Sequence, residues 1–72
     1  MNSSLKWIYD RGVWMQQTQT THRAVHMRCP GSWVWIVRRG TDEGEPIGAG
    51  EASSLDEAKR TASRIGVTVH LD

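Results

Sequence analysis

The chain has 72 residues, nine of them basic and eight acidic, and its formal net charge is +1. A chain of this length forms one domain and buries roughly 60–65% of the surface that its unfolded form exposes, so we expect modest stability. The single cysteine, Cys29, excludes an internal disulfide and a four-cysteine zinc site. No run approaches the ~18–20 apolar residues of a membrane span, and the start lacks a signal-peptide pattern. These features predict a soluble, cytoplasmic protein.

The first part of the chain predicts strands. Residues 5–9 (LKWIY) and residues 13–18 (VWMQQT) form the arms of a hairpin around Asp10-Arg11-Gly12, with Gly12 in the left-handed conformation. Residues 21–28 (THRAVHMR) alternate, and we expect Val25 and Met27 to point inward on the same face as Arg23. Pro30-Gly31 forms the next turn.

The most apolar stretch, residues 33–37 (WVWIV), predicts a central strand. Alternation sends Trp33, Trp35 and Val37 to one face, and Val34 and Ile36 to the other. Since neither face is polar, we expect a helix to cover one of them. The other face must be covered by something else or used for binding.

The second half of the chain predicts a turn, a weak strand and a helix. We expect Gly44 to supply a positive φ in the acidic turn at residues 41–46. In residues 47–52, Gly48 and Gly50 share one face, which indicates a close approach by another element or a bulge. Three signals predict the helix. Ser54 is the expected N-cap and forms a capping box with Glu57, and Gly66 is expected in the left-handed conformation after the helix end. The apolar stripe of the helix consists of Leu55, Ala58, Ala62 and Ile65.

Residues 67–71 (VTVHL) alternate and predict a closing strand. The predicted fold is therefore α+β, with two layers: an antiparallel sheet of four to six strands and one helix packed on one face. Residues 1–72 form a single domain organised around a hairpin–strand–helix unit at residues 32–66, and residues 1–4 are a candidate disordered end.

No residue pattern predicts catalysis or a cofactor. His22 and His26 have a metal-ligand spacing only on a helix, and on a strand they lie roughly 13 Å apart. Cys29 has His26 three residues before it, but no third group orients such a pair. The acidic turn lacks the spacing of a calcium loop, and there is no glycine-rich phosphate motif. We expect no enzyme activity, no metal and no cofactor.

Two binding surfaces are predicted instead. The first is a protein-binding surface made of exposed tryptophan and the acidic turn, with Trp14, Trp33, Trp35, Asp42, Glu43 and Glu45 as its contacts. The alternative is a sheet that binds DNA or RNA through the tryptophans and Arg28, Arg38 and Arg39 of the central hairpin.

Residues 32–65 also resemble units in known proteins. The Trp-rich hairpin is followed, from Gly48 to Ala62, by G-x-G-E-A-x-S-L-x-E-A-K-R-x-A. This is similar to small phage-encoded proteins of the anti-CRISPR type and to the arm-type DNA-binding domains of tyrosine recombinases. The recombinase turn is usually basic, whereas this turn is acidic. The first resemblance implies a phage or mobile-element inhibitor that covers a host protein or nucleoprotein complex, as monomer or homodimer.

Overall fold

The computed structural model describes residues 6–66. Within them the chain forms five strands and one helix: β1 (Ile8–Asp10), β2 (Val13–Gln17), β3 (Thr21–Cys29), β4 (Ser32–Arg39), β5 (Pro46–Ala52) and α1 (Leu55–Ser63). The strands form one antiparallel sheet in the order β1-β2-β3-β4-β5. The helix packs over β3, β4 and β5 on one face of this sheet. The predicted α+β class is confirmed, while the strand predicted at 67–71 and the end at 1–4 lie outside the described residues.

The turns depend on left-handed backbone at three glycines. Gly12 and Gly31 have φ values of 85° and 86°, in the two hairpin turns where the sequence predicts them. The positive φ expected at Gly44 is wrong, since Gly40 adopts it instead, with φ 78°. The Gly40 N–H donates to Thr20 O at 2.8 Å, which ties the end of β4 to the β2–β3 turn. A side chain at Gly44 would instead collide with the carbonyl oxygen of Arg39.

The core lies between the helix and the middle of the sheet. It consists of buried apolar residues from β3, β4 and α1, namely Val25, Trp35, Val37, Ala58 and Ala62. The glycines of β5 leave room for larger side chains, because a Cβ at Gly50 would lie 2.9 Å from the Trp35 ring. A Cβ at Gly48 would lie 3.0 Å from the Ile65 side chain. The predicted close approach at these glycines is confirmed, and the tryptophan face of β4 is the covered one.

A buried arginine joins the sheet to the end of the helix. Arg23 is only 7% exposed, and its Nε donates to Ala62 O at 2.8 Å. Its other nitrogens donate to Ile65 O, Ser63 O and Gln16 Oε1. Burial lowers the pKa of Arg23, although a guanidinium stays charged at neutral pH.

The sequence prediction placed Met27 inward on this strand, and that is wrong. Met27 is 52% exposed, because the helix covers the part of β3 nearer Arg23. Arg23 is the side chain that goes in, since its guanidinium donates to carbonyl groups at and just beyond the end of the helix.

The two helix ends are satisfied in different ways. Ser54 Oγ accepts from the Glu57 N–H at 3.1 Å, which confirms the predicted N-cap. Glu57 returns the bond to Ser53, whose hydroxyl donates to Glu57 Oε1 at 3.0 Å. At the other end the left-handed backbone expected at Gly66 is absent, and the C-cap Arg64 is right-handed. The Arg64 and Ile65 N–H groups donate to Thr61 O and Ala62 O, and Arg23 adds donors to Ala62 O and Ser63 O from the sheet.

Candidate binding face

The face of the sheet opposite α1, which we call the open face, is apolar along its middle. The strand register places one apolar residue of each strand in a single line across it, which we call the central row: Ile8, Met15, Ala24, Ile36 and Ala49. Ile8 is 62% exposed, and no helix or strand within residues 6–66 packs on this face. The result is a continuous apolar strip on a surface that water reaches.

Polar side chains close one end of the open face. Arg28 Nη1 lies 2.7 Å from Glu51 Oε2, and the Ser32 hydroxyl donates to the same oxygen at 2.8 Å. The hydrogen bond from Arg28 lowers the pKa of Glu51, the bond from Ser32 lowers it further, and the charge of Arg28 adds to both. The hydrogen bond to Glu51 and the charge of Glu51 raise the pKa of Arg28. This end of the face is polar but carries a compensated charge.

The other end of the open face is bounded by Gln17, His22 and Arg38. Gln17 Oε1 lies 2.9 Å from His22 Nδ1, and Gln17 Nε2 donates to Gly40 O. Arg38 Nη1 donates to Gly44 O at 3.0 Å, which ties the acidic loop to this border. The open face therefore has an apolar centre between two ordered polar borders.

The acidic loop extends beyond the Arg38 border. Asp42 and Glu43 are exposed, and the Glu43 N–H donates to Thr41 Oγ1 at 3.3 Å. Glu45 Oε1 lies 3.6 Å from Arg39 Nε. Of the two ion pairs formed among residues 6–66, neither involves Asp42 or Glu43. Negative charge at this end of the molecule is therefore concentrated on these two carboxylates.

The three tryptophans predicted to contact a partner do not share a surface with the acidic loop. Trp35 is buried at 7% exposure, so little of its ring is available to a partner. Its ring packs against Gly50 and forms part of the core. Trp14 and Trp33 are half-buried on the helix side of the sheet. The open face, by contrast, contains no tryptophan within the described strands.

Two of the three arginines of the predicted nucleic-acid surface are likewise separated from its aromatic residues. Arg28 and Arg38 extend from the open face, whereas Trp33 and Trp35 lie under the helix. Arg28 and Arg39 each pair with a glutamate. The sequence brings aromatic and basic residues together in one hairpin, but strand alternation puts Arg38 on the opposite side of the sheet from Trp33 and Trp35, and only Arg39 shares their side.

The sequence interpretation did not assign Ile8, Met15 or Ala49 to a binding surface. Each is unremarkable in its own strand, and they form a row only once the register of all five strands is known. The available signal was the two-sided apolar character of residues 33–37, which indicated that the face bearing Val34 and Ile36 needs a cover or a partner.

Between residues 6 and 66, no three histidine, cysteine or acidic side chains are grouped so that they could hold a metal ion. His22 and His26 lie on β3, as the sequence predicts, and flank Ala24 in strand alternation. Cys29 has a free, exposed thiol. Among the described residues, no helix is long and apolar enough to cross a membrane.

The chain matches no protein-family model, and comparison with curated proteins and with solved structures finds no significant match.

Proposed function

We propose that the protein is a non-enzymatic binding module that covers a surface of a partner protein with its open face. The observation that carries this proposal is the central row, in which all five strands contribute an apolar side chain to one strip. An apolar strip within a polar border has the anatomy of a protein interface. Apolar surface of this kind, which residues 6–66 leave uncovered, is also the usual mark of an interaction site.

The charges suggest what the partner surface looks like. The Arg28–Glu51 border is internally paired and adds no net charge. The acidic loop at the opposite end presents Asp42 and Glu43 next to the Arg38 border. The matching partner surface is an apolar patch with basic side chains along one side. Complementary charge of this kind contributes to the association rate and to orientation more than to affinity.

A nucleic-acid partner is less well supported by the same geometry. Such binding needs exposed aromatic side chains on which bases can stack, or cationic side chains that face the phosphates. On the open face, Arg28 is paired with Glu51 and Arg38 is bonded to Gly44 O. The tryptophans that would stack on bases lie on the other side of the sheet.

The resemblance to small phage-encoded inhibitors adds a class of partner to this proposal. An inhibitor of that type acts by covering a functional surface of a host protein or nucleoprotein complex. A compact sheet with one apolar face suits that mode of action, because it needs no catalytic group. Host defence complexes are thus the first partners to test.

The experiment is affinity capture from a host lysate, with and without nuclease, using three forms of the protein. The first is the unaltered chain, the second carries Met15→Thr and Ile36→Thr on the open face, and the third carries Arg60→Ser on the exposed side of α1. Threonine keeps a β-branched side chain at Ile36 and introduces polarity in the central row. Circular dichroism establishes that all three forms are folded.

In the presence of nuclease, we expect the unaltered and Arg60→Ser forms to capture the same protein. The open-face variant should capture at least tenfold less of it. Purified partner and protein should then form a complex of defined stoichiometry. Equal capture by all three forms would rule out the open face. Capture that disappears with nuclease would favour the nucleic-acid alternative.

A further inference from the structure

A second surface, independent of the open face, lies on the helix side of the sheet. The helix packs over β3, β4 and β5 and leaves β1 and β2 beside it. This flank is occupied by aromatic side chains from residues 7–14, namely Trp7, Tyr9 and Trp14, which we call the aromatic shelf. Tyr9 is 58% exposed, and both tryptophans are half-buried.

The rings of the shelf are close enough to act together. The ring centroids of Tyr9 and Trp14 are 4.9 Å apart, with an angle of 51° between the planes. This separation and tilt lie within the range of favourable aromatic pairs. The β1–β2 register places Tyr9 directly opposite Trp14, so the backbone of the hairpin fixes their separation.

One helix side chain already places a cation on this shelf. Lys59 Nζ lies 3.9 Å from the centroid of the Trp14 ring and 5.7 Å from that of Trp7. Both distances are within the range at which the quadrupole of an indole ring attracts a cation. Neither of the two ion pairs among the described residues involves Lys59, so its ammonium is held here by aromatic faces.

We propose that the aromatic shelf is a binding site for a quaternary ammonium group, and that Lys59 occupies this site in the free protein. The ligand class follows from what the shelf offers. A primary ammonium has three N–H groups that seek acceptors, whereas the shelf presents ring faces. A quaternary ammonium has no N–H group, so it loses no hydrogen bond when it moves from water onto indole rings.

The internal lysine makes binding competitive. A ligand reaches the rings only in the fraction of molecules in which Lys59 has moved away, and its apparent affinity falls by that fraction. The lysine has a flexible four-carbon stem on the surface of the helix, so it can leave without disturbing the core. Ala58 and Ala62, on the same helix, keep the helix packed on the sheet.

The test is a titration with choline, followed by NMR through the four indole N–H resonances. We expect the resonances of Trp7 and Trp14 to shift and saturate, while that of buried Trp35 stays in place. The control ligand is the neutral carbon isostere of choline, which has the same shape without the charge, and we expect it to bind much more weakly. If the neutral isostere produces the same saturable shifts, the site is a hydrophobic surface and the proposal is wrong.

Substitutions test the role of Lys59 separately. Lys59→Ala should bind choline about two- to fivefold more tightly than the unaltered chain, since a cation–π contact at a partly exposed site has about that strength. Arg60→Ala, which removes the neighbouring cation, should leave the affinity unchanged. Adding Tyr9→Ala to Lys59→Ala should weaken binding again without loss of fold, because Tyr9 is exposed.

Absence of saturable binding to Lys59→Ala, or equal binding by Lys59→Ala and the unaltered chain, would overturn the proposal. Neither result bears on the open face, which lies on the other side of the sheet.

Discussion

The two faces of this sheet are built from the same strands but have different surroundings. On the helix side, Val25 and Val37 have no exposed surface and Trp35 fills the space above Gly50. On the open side, the neighbouring residues Ala24 and Ile36 lie in a row that reaches water at both Ile8 and Ala49. Adjacent positions of similar hydrophobicity thus contribute differently, one set to stability and the other, we propose, to binding.

The comparison also shows where polar groups are tolerated. Among residues 6–66, the covered face contains one buried cation, Arg23, which is bound by carbonyls at and beyond the helix end and by the Gln16 amide. The open face carries its polar groups at the two ends, where water helps to solvate them. Burial in the first case demands a complete set of partners, and exposure in the second relaxes that demand.

The largest effect is expected at the centre of the covered face. Trp35→Ala should lower the free energy of unfolding by about 3–5 kcal/mol, because it removes the largest core side chain and leaves a cavity above Gly50. Urea denaturation followed by circular dichroism measures this loss. A loss below about 1 kcal/mol would show that Trp35 is not a core residue.

The next effect is expected at the buried arginine. Arg23→Met keeps an unbranched stem but removes the donors to Ala62 O and Ile65 O, and it should cost at least about 2 kcal/mol. Arg23→Lys, the matched variant, keeps the charge but cannot reach all four acceptors. Its stability should therefore fall between that of the unaltered chain and that of Arg23→Met. If Arg23→Met is as stable as the unaltered chain, water satisfies these carbonyls and Arg23 does not hold the helix end.

A smaller effect is expected at the helix start. Ser54→Ala removes the acceptor for the Glu57 N–H and should cost about 1 kcal/mol in the free energy of unfolding. Ser53→Ala, which removes the hydroxyl that bonds to the Glu57 carboxylate, should cost less, because it leaves the helix backbone N–H groups with their acceptor at Ser54. Equal costs for the two variants would contradict the assignment of Ser54 as the N-cap.

The weakest effect on stability is expected at the border of the open face and depends on pH. The pKa of Glu51 is lowered in the folded chain, first by the hydrogen bond from Arg28, so its contribution is present above the ordinary carboxyl pKa. It is lost as the pH falls through the lowered value.

The difference in unfolding free energy between the unaltered chain and Glu51→Gln should therefore be present at neutral pH and shrink in acid. It should also decrease with added salt, because both partners are exposed. A difference that grows on acidification would contradict the assigned direction. Urea denaturation at a series of pH values between about 3 and 7 measures it.

Much of the fold could be predicted from local pattern. Five β-forming segments, the turns at Gly12 and Gly31 and the cap at Ser54 all have short-range causes. The left-handed backbone predicted at Gly44 and at Gly66 is wrong, and both glycines lie beside contacts from distant parts of the chain. The Gly40 N–H donates to Thr20 O where the acidic loop begins, and Arg23 donates to Ala62 O at the helix end.

The site was harder to predict than the fold. Residues that are neighbours in sequence, such as Arg38 and Trp35, were expected to act together, but strand alternation separates them. The central row joins residues as distant in sequence as Ile8 and Ala49, and it follows from four successive registers. Tyr9 and Trp14 are similarly joined by strand pairing, while Lys59 reaches them from the helix.

The most direct test of the difference between the two faces compares Ile36→Thr with Val37→Thr, at adjacent residues of β4. For each variant, the free energy of unfolding and the amount of captured partner are measured together. Val37→Thr buries an unpartnered hydroxyl and should cost about 1–3 kcal/mol, with binding by the folded fraction unchanged. Ile36→Thr should cost at most about 1 kcal/mol but greatly reduce partner capture. Retained capture with Ile36→Thr, or a loss of stability as large as that of Val37→Thr, would contradict the assignment of the open face to binding.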